Sequence, residues 1–121
     1  MTLNLEVFYS FKASHSLAGF ETPHFHRWDL SACFTQTMPL VQDRLIDLVF
    51  LQKTLQEIVR PIEGCYLNET LPFSPTSERM AEWIRDELRK KLPDAPLSKV
   101  SVTLCNLEGL AMGRVTLEGI Q

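Results

Sequence analysis

Leu3, Leu5, Val7, Tyr9, Phe11, Ala13 and His15 occupy every second position at the start of the chain, with Asn4, Glu6, Ser10, Lys12 and Ser14 between them. A period of two over residues 2–15 predicts a long strand buried on one face, and Phe8 is the one residue that breaks the alternation. A second alternating run follows, with His24, His26, Trp28, Leu30, Ala32 and Phe34 on one face and Arg27, Asp29, Ser31 and Thr35 on the other. It predicts a strand over 24–38, ended by Pro39. The connection 16–23, carrying Gly19 and Pro23, reads as a loop. From about Leu45 the period changes. Leu48, Leu51, Leu55, Ile58 and Val59 recur at three and four residues, which predicts an amphipathic helix with Asp47 at its cap and its end near Arg60-Pro61. Residues 62–75 contain Gly64, Asn68 and two prolines and read as a loop. Thr76 is the expected cap of a second helix, with Glu78 in its first turn, Met80, Ala81, Ile84, Leu88 and Leu92 as its apolar stripe, and Arg89, Lys90 and Lys91 in its last turn. Val100, Val102 and Leu104 alternate with Ser101, Thr103 and Cys105 in a third strand. Glu108-Gly109 marks a turn, and residues 110–117 form a less regular fourth strand.

The order strand, strand, helix, helix, strand, strand predicts an α+β domain spanning 1–121. Its simplest architecture is one four-stranded antiparallel sheet built from two hairpins, with two helices on its apolar face. The 121 residues suffice for one core and are too few for two ordinary domains. A net charge of -3 with scattered Lys and Arg gives no electrostatic footprint for nucleic acid. No apolar run approaches a membrane span, and the N-terminus lacks the layout of a signal peptide, so the expected location is cytoplasmic. Cys33, Cys65 and Cys105 are odd in number and widely spaced, which argues against a disulfide framework.

All three histidines fall within residues 15–26. His24 and His26 point to the same face of their strand, roughly 7 Å apart. If the first two strands pair across the 16–23 loop, His15 lies opposite them and three nitrogens converge. Three neutral histidines with an open fourth position describe a catalytic zinc site. The competing reading is that of buried histidines satisfied by ordinary hydrogen bonds, which is the commoner fate of a histidine on an apolar face.

Phe11-x-Ala13-Ser14-His15, His24-x-His26, Leu45-Ile46-Asp47-Leu48, Leu67-Asn68 and Pro75-Thr76-Ser77-Glu78 together carry a resemblance that spans nearly the whole chain. In order and approximate spacing they resemble the 6-pyruvoyl-tetrahydropterin synthase family, which includes the 6-carboxy-tetrahydropterin synthases of queuosine biosynthesis. The resemblance implies the tunnelling fold (T-fold) and zinc held by His15, His24 and His26. It also implies a pterin-like small-molecule substrate and a homo-oligomer of trimeric barrels stacked as a hexamer. In that family the metal polarises the side chain of dihydroneopterin triphosphate while protein groups move protons.

Three family positions depart from the pattern. A cysteine ahead of the His-x-His pair is Phe20 here, an Asp-His dyad aligns with Glu63-Gly64, and a glutamate that anchors the pterin ring falls at Leu104. The carboxylates of Glu63 and Glu21 and the thiol of Cys65 are the candidates to replace the lost groups, while Trp28 offers an apolar pocket wall or simple core packing. Three functions stay open at this point: a zinc-dependent lyase of this family with an altered substrate, a catalytically silent zinc-binding assembly or binding protein, and an active synthase with relocated residues.

Overall fold

The computed structural model describes residues 1–17, 22–40 and 47–120. The two alternating runs at the start of the chain become β1 (Thr2–His15) and β2 (His24–Thr37), paired antiparallel over their full length. Val7, Phe11, Ala13, Trp28, Leu30, Ala32 and Phe34 are buried on one face, whereas Phe8, on the other, is 60% exposed. The misfit in the pattern is therefore a surface phenylalanine within an otherwise regular strand.

Among the described residues three helices follow, α1 (Leu48–Val59), α2 (Leu67–Thr70) and α3 (Ser77–Lys91), and then β3 (Leu97–Cys105) and β4 (Ala111–Leu117). The sheet order is β1-β2-β3-β4, antiparallel throughout. α1 packs over β1, and α3 over β3 and β4. Asp47 caps α1, its carboxylate accepting from the backbone N–H of Val49 at 2.9 Å, and Leu51, Leu55, Ile58 and Val59 supply the buried stripe. The expected start of that helix at Leu45-Ile46 lies outside the described residues. Thr76 caps α3 by accepting from the N–H of Arg79 at 3.1 Å, and Met80, Ala81, Ile84 and Leu88 face the core.

The structure departs from the sequence reading in two places. The third strand begins at Leu97, ahead of Val100. A register shift opposite Cys33 and Phe34 leaves Phe34 paired with Leu97 and Cys33 with Lys99. The extra residue puts Leu97 and Val100 on one face despite their odd spacing, so the period of two fails there. Within the stretch read as a loop, residues 67–70 form the single turn α2, too short to show a helical period, with Leu67 fully buried.

The segment before α2 runs along the outer edge of β1. The N–H of Gly64 donates to the carbonyl of Lys12 at 2.7 Å, the N–H of Ser14 donates to the carbonyl of Cys65 at 3.0 Å, and Tyr66 bridges to Ser14 in parallel. This short addition covers part of an edge that would otherwise present unpaired backbone groups.

Leu104 shares the apolar face of Val100 and Val102 and pairs across the sheet with Trp28 on one side and Gly113 on the other. Leu104→Glu is expected to lower the melting temperature, at a cost of about 1–3 kcal/mol for placing a carboxylate there. A melt unchanged or raised would mean that the face is wrongly assigned.

Candidate metal centre

The end of the first hairpin builds the site. His15 is the last residue of β1 and His24 the first of β2, and the two are register partners, as are Ala13 and His26. Cross-strand partners approach closely, and His24 and His26, two apart, share a face. The three rings accordingly meet at centroid separations of 4.8, 5.0 and 4.7 Å with interplanar angles of 77°, 88° and 85°. One ligand nitrogen from each lies within 4.8 Å of the other two. His15 and His26 are buried, and His24 is the most open to solvent.

Each imidazole is held by its Nδ1. That of His15 is 3.0 Å from the carbonyl oxygen of Pro75, that of His26 is 3.1 Å from the carbonyl oxygen of Cys105, and that of His24 is 3.2 Å from the carbonyl oxygen of Thr22. A carbonyl oxygen only accepts, so Nδ1 is the protonated donor in every case. In the neutral ring the lone pair then belongs to Nε2. Fixing the tautomer through the far nitrogen is the usual way in which a protein orients a metal-binding histidine. Ordinary core hydrogen bonding accounts for one such contact. It gives no reason for three rings of the same tautomer to be gathered at one point. A set of three imidazole nitrogens fits a zinc-type cation with a further coordination position left for a ligand.

Trp28 forms the floor. Its ring meets His15 at 5.0 Å and 81° and His26 at 6.3 Å and 83°, stacks on Phe11 at 6.2 Å, and donates Nε1–H to the carbonyl of Ala13 at 3.2 Å. Its indole N–H thus has a partner, and the apolar ring is free to back the imidazoles.

The chain leaving His15 is clamped. The side chain of Asn68 accepts from the N–H of Ser16 at 2.9 Å and donates to its carbonyl at 2.7 Å, while the hydroxyls of Ser16 and Tyr66 lie 2.6 Å apart. Tyr66 and Ser16 are polar groups beside the site that the sequence reading missed. They are fifty positions apart, and no local pattern links them.

Glu63 and Cys65 belong to the segment along the β1 edge. Glu63 is exposed and lines a groove of about 340 Å³ with Ser10, Phe11, Lys12, Arg27 and Gly64. Its neighbour Gly64 is bonded to Lys12, three positions short of His15, or roughly 10 Å of strand. The negative charge of Glu63 reaches the phenol of Tyr9, whose pKa is raised first by burial and then by that charge. The Cys65 thiol points back into its own turn, 3.6 Å from the carbonyl of Pro61 and 3.7 Å from that of Glu63. Gly64, where the resemblance expects a histidine, has φ of 77°, a left-handed conformation that favours glycine. Glu21 and Phe20 lie outside the described residues.

The sequence profile of 6-pyruvoyl tetrahydropterin synthase matches residues 4–108 of this chain. The dihydroneopterin monophosphate aldolase of Pyrococcus furiosus is 28% identical over 94 residues, covering 77% of this chain and 82% of the relative. Among solved structures, 6-pyruvoyl tetrahydropterin synthase from Caenorhabditis elegans superposes with a TM-score of 0.78 at 18% identity, covering 99% of this chain and 97% of that one. The Plasmodium vivax enzyme of the same name gives a TM-score of 0.69 at 14% identity, with 98% and 99% covered. Two further structures of the latter carry substitutions of a catalytic glutamate by alanine or cysteine.

Asn68→Ala removes both amide contacts to the Ser16 backbone and leaves part-buried groups unmatched. A loss of about 1–3 kcal/mol in denaturant unfolding is the expected outcome. A cost near zero would show that the clamp is dispensable.

Proposed function

Because the chain belongs to the 6-pyruvoyl tetrahydropterin synthase family, we propose that it is a zinc-dependent lyase acting on a pterin-like small molecule, with His15, His24 and His26 as the metal ligands. The observation that carries this reading is the gathering of three imidazole nitrogens within 4.8 Å, each ring fixed by a carbonyl at its Nδ1. Zinc suits a borderline nitrogen donor set, and a three-ligand site of this kind supplies a Lewis acid for an oxygen on which charge develops.

Cleavage of a carbon–carbon bond is the favoured reaction. The relative with the curated name is an aldolase, and an aldol cleavage needs a base for a hydroxyl proton more than it needs a thiolate. A carboxylate base agrees with the catalytic glutamate of the Plasmodium vivax enzyme. Glu21 is the first candidate, since three residues of chain, at most roughly 10 Å, separate it from His24. Glu63 and Cys65, on the β1 edge, are the alternatives for moving protons. Leu104 in place of a ring-anchoring carboxylate means that the substrate's ring is held by other groups or differs from a pterin in its hydrogen-bonding edge.

The T-fold reading carries a homo-oligomer with it, trimer-based and hexameric. The outer edge of β4 and the exposed side chains of Leu107, Leu110 and Met112 agree with strand-to-strand association between copies. No helix among the described residues is long and apolar enough to cross a membrane.

The test is metal analysis joined to an assay for aldehyde release from dihydroneopterin, its monophosphate and its triphosphate. About one zinc per chain is expected in the wild type and none in His24→Ala; metal retained by that variant refutes the three-histidine site. Glu21→Gln is expected to keep zinc and lose on the order of a hundred- to ten-thousand-fold in rate. The same loss in Glu63→Gln instead would move the base to that residue. Zinc without turnover of any of the three would favour the silent binding protein, and formation of a 6-pyruvoyl or 6-carboxy product would favour a relocated synthase.

A further inference from the structure

On the face of the sheet away from the helices, reaching the strand positions next to His26, lies a connected polar cluster. Asp29 is at its centre. Its Oδ1 accepts from Ser10 Oγ at 2.7 Å and from Arg27 Nε at 2.9 Å, and its Oδ2 accepts from Arg27 Nη2 at 2.9 Å and from the Cys105 thiol at 3.4 Å. Cys105 is 1% exposed and belongs to both faces of the sheet: its thiol joins this cluster, and its carbonyl accepts the Nδ1–H of His26.

That carbonyl sits at a weak point of the ladder. The pairing of β3 with β4 shifts between Leu104 and Cys105, where Leu104 faces Gly113 and Cys105 faces Ala111. At such an irregularity the sheet's own hydrogen bonds define the peptide orientation less well than in a regular stretch, and a side-chain anchor takes on that task. The anchor is itself braced. Gly109, at φ of 89°, brings the β3–β4 turn so close that a Cβ there would lie 2.8 Å from Nη1 of Arg27. Asn106 ties that turn, its side chain accepting from the N–H groups of Glu108 at 3.0 Å and Leu110 at 2.9 Å.

From this geometry we infer that Cys105, anchored through Asp29 and Arg27, is a positioning residue that sets the aim of His26 toward the metal from the opposite face of the sheet. The inference rests on the three-histidine metal reading above. In the Cys105–Asp29 contact the thiol donates and the carboxylate oxygen accepts.

The experiment uses the full chain, loaded with Co²⁺ as a spectroscopic probe and titrated with Zn²⁺ against a chelator, with the metal-free melting temperature followed in parallel. Cys105→Val is expected to weaken metal affinity about tenfold, the lower end of what loss of a ligand-orienting partner costs, and to alter the visible cobalt spectrum. Cys105→Ser, which keeps a donor toward Asp29, is expected to restore both. Should Cys105→Val fail to fold, Asp29→Ala carries the same expectation. Wild-type affinity and an unchanged cobalt spectrum in a folded variant, whatever its melting temperature, overturn the positioning role. Failure of the wild type to bind either metal overturns the three-histidine reading itself, and this inference with it.

Discussion

The register of one hairpin governs this structure. β1 and β2 pair without a break from Thr2 opposite Thr37 to His15 opposite His24, and that alignment alone brings the first and second histidines face to face. Side chains alternate with a period of two, so a slip of a single residue would turn His15 to the solvent face and bury Lys12 and Ser14 in place of Phe11 and Ala13. The burial of Phe11, Ala13 and Trp28 and the gathering of the imidazoles are thus specified by one constraint. Any sequence change that loosened the core pattern near the loop would loosen the site.

The rest of the molecule fixes what the hairpin only brings together. The segment along the β1 edge, the clamp from Asn68, the start of α3 and the end of β3 each contribute a backbone or side-chain contact at the end of the hairpin that carries the histidines. Pro75, just ahead of the capped turn of α3, accepts from His15, and Cys105, at the irregular end of β3, accepts from His26. Three parts of the chain far apart in sequence thereby agree on one tautomer for the rings. Such agreement costs ordering entropy for every group involved, and a cluster of imidazoles offers little stability in return unless a cation shares it.

The departures from the family pattern have local explanations. Gly64 takes a left-handed turn that lets its N–H reach the carbonyl of Lys12, and Leu104 completes an apolar strip beside Trp28. Both positions have been absorbed into the architecture of this chain. The site that results gathers three imidazoles, and the proposed lyase reading, with other proton-handling groups, is in keeping with a relative named as an aldolase.

Much of this was legible in the sequence. The period of two in the first two strands, the change to three and four in α1 and α3, and the caps at Asp47 and Thr76 are local signals that act over a few residues, and the folded chain obeys them. The juxtaposition of His15 with His24 and His26 followed from the same pattern, because a hairpin is a local object. The early start of β3, the turn α2, the Ser16–Tyr66 contact and the carbonyls that hold the rings were not legible. A bulge breaks the very periodicity by which strands are recognised, one helical turn is too short to display a period, and every residue carries a carbonyl. The sequence by itself determined which side chains line the apolar face and which three could meet. Only the tertiary structure decided how His15 and His26 are oriented, because their rings bond to backbone carbonyls sixty and more positions away, whose place depends on where the chain returns, and composition does not encode that.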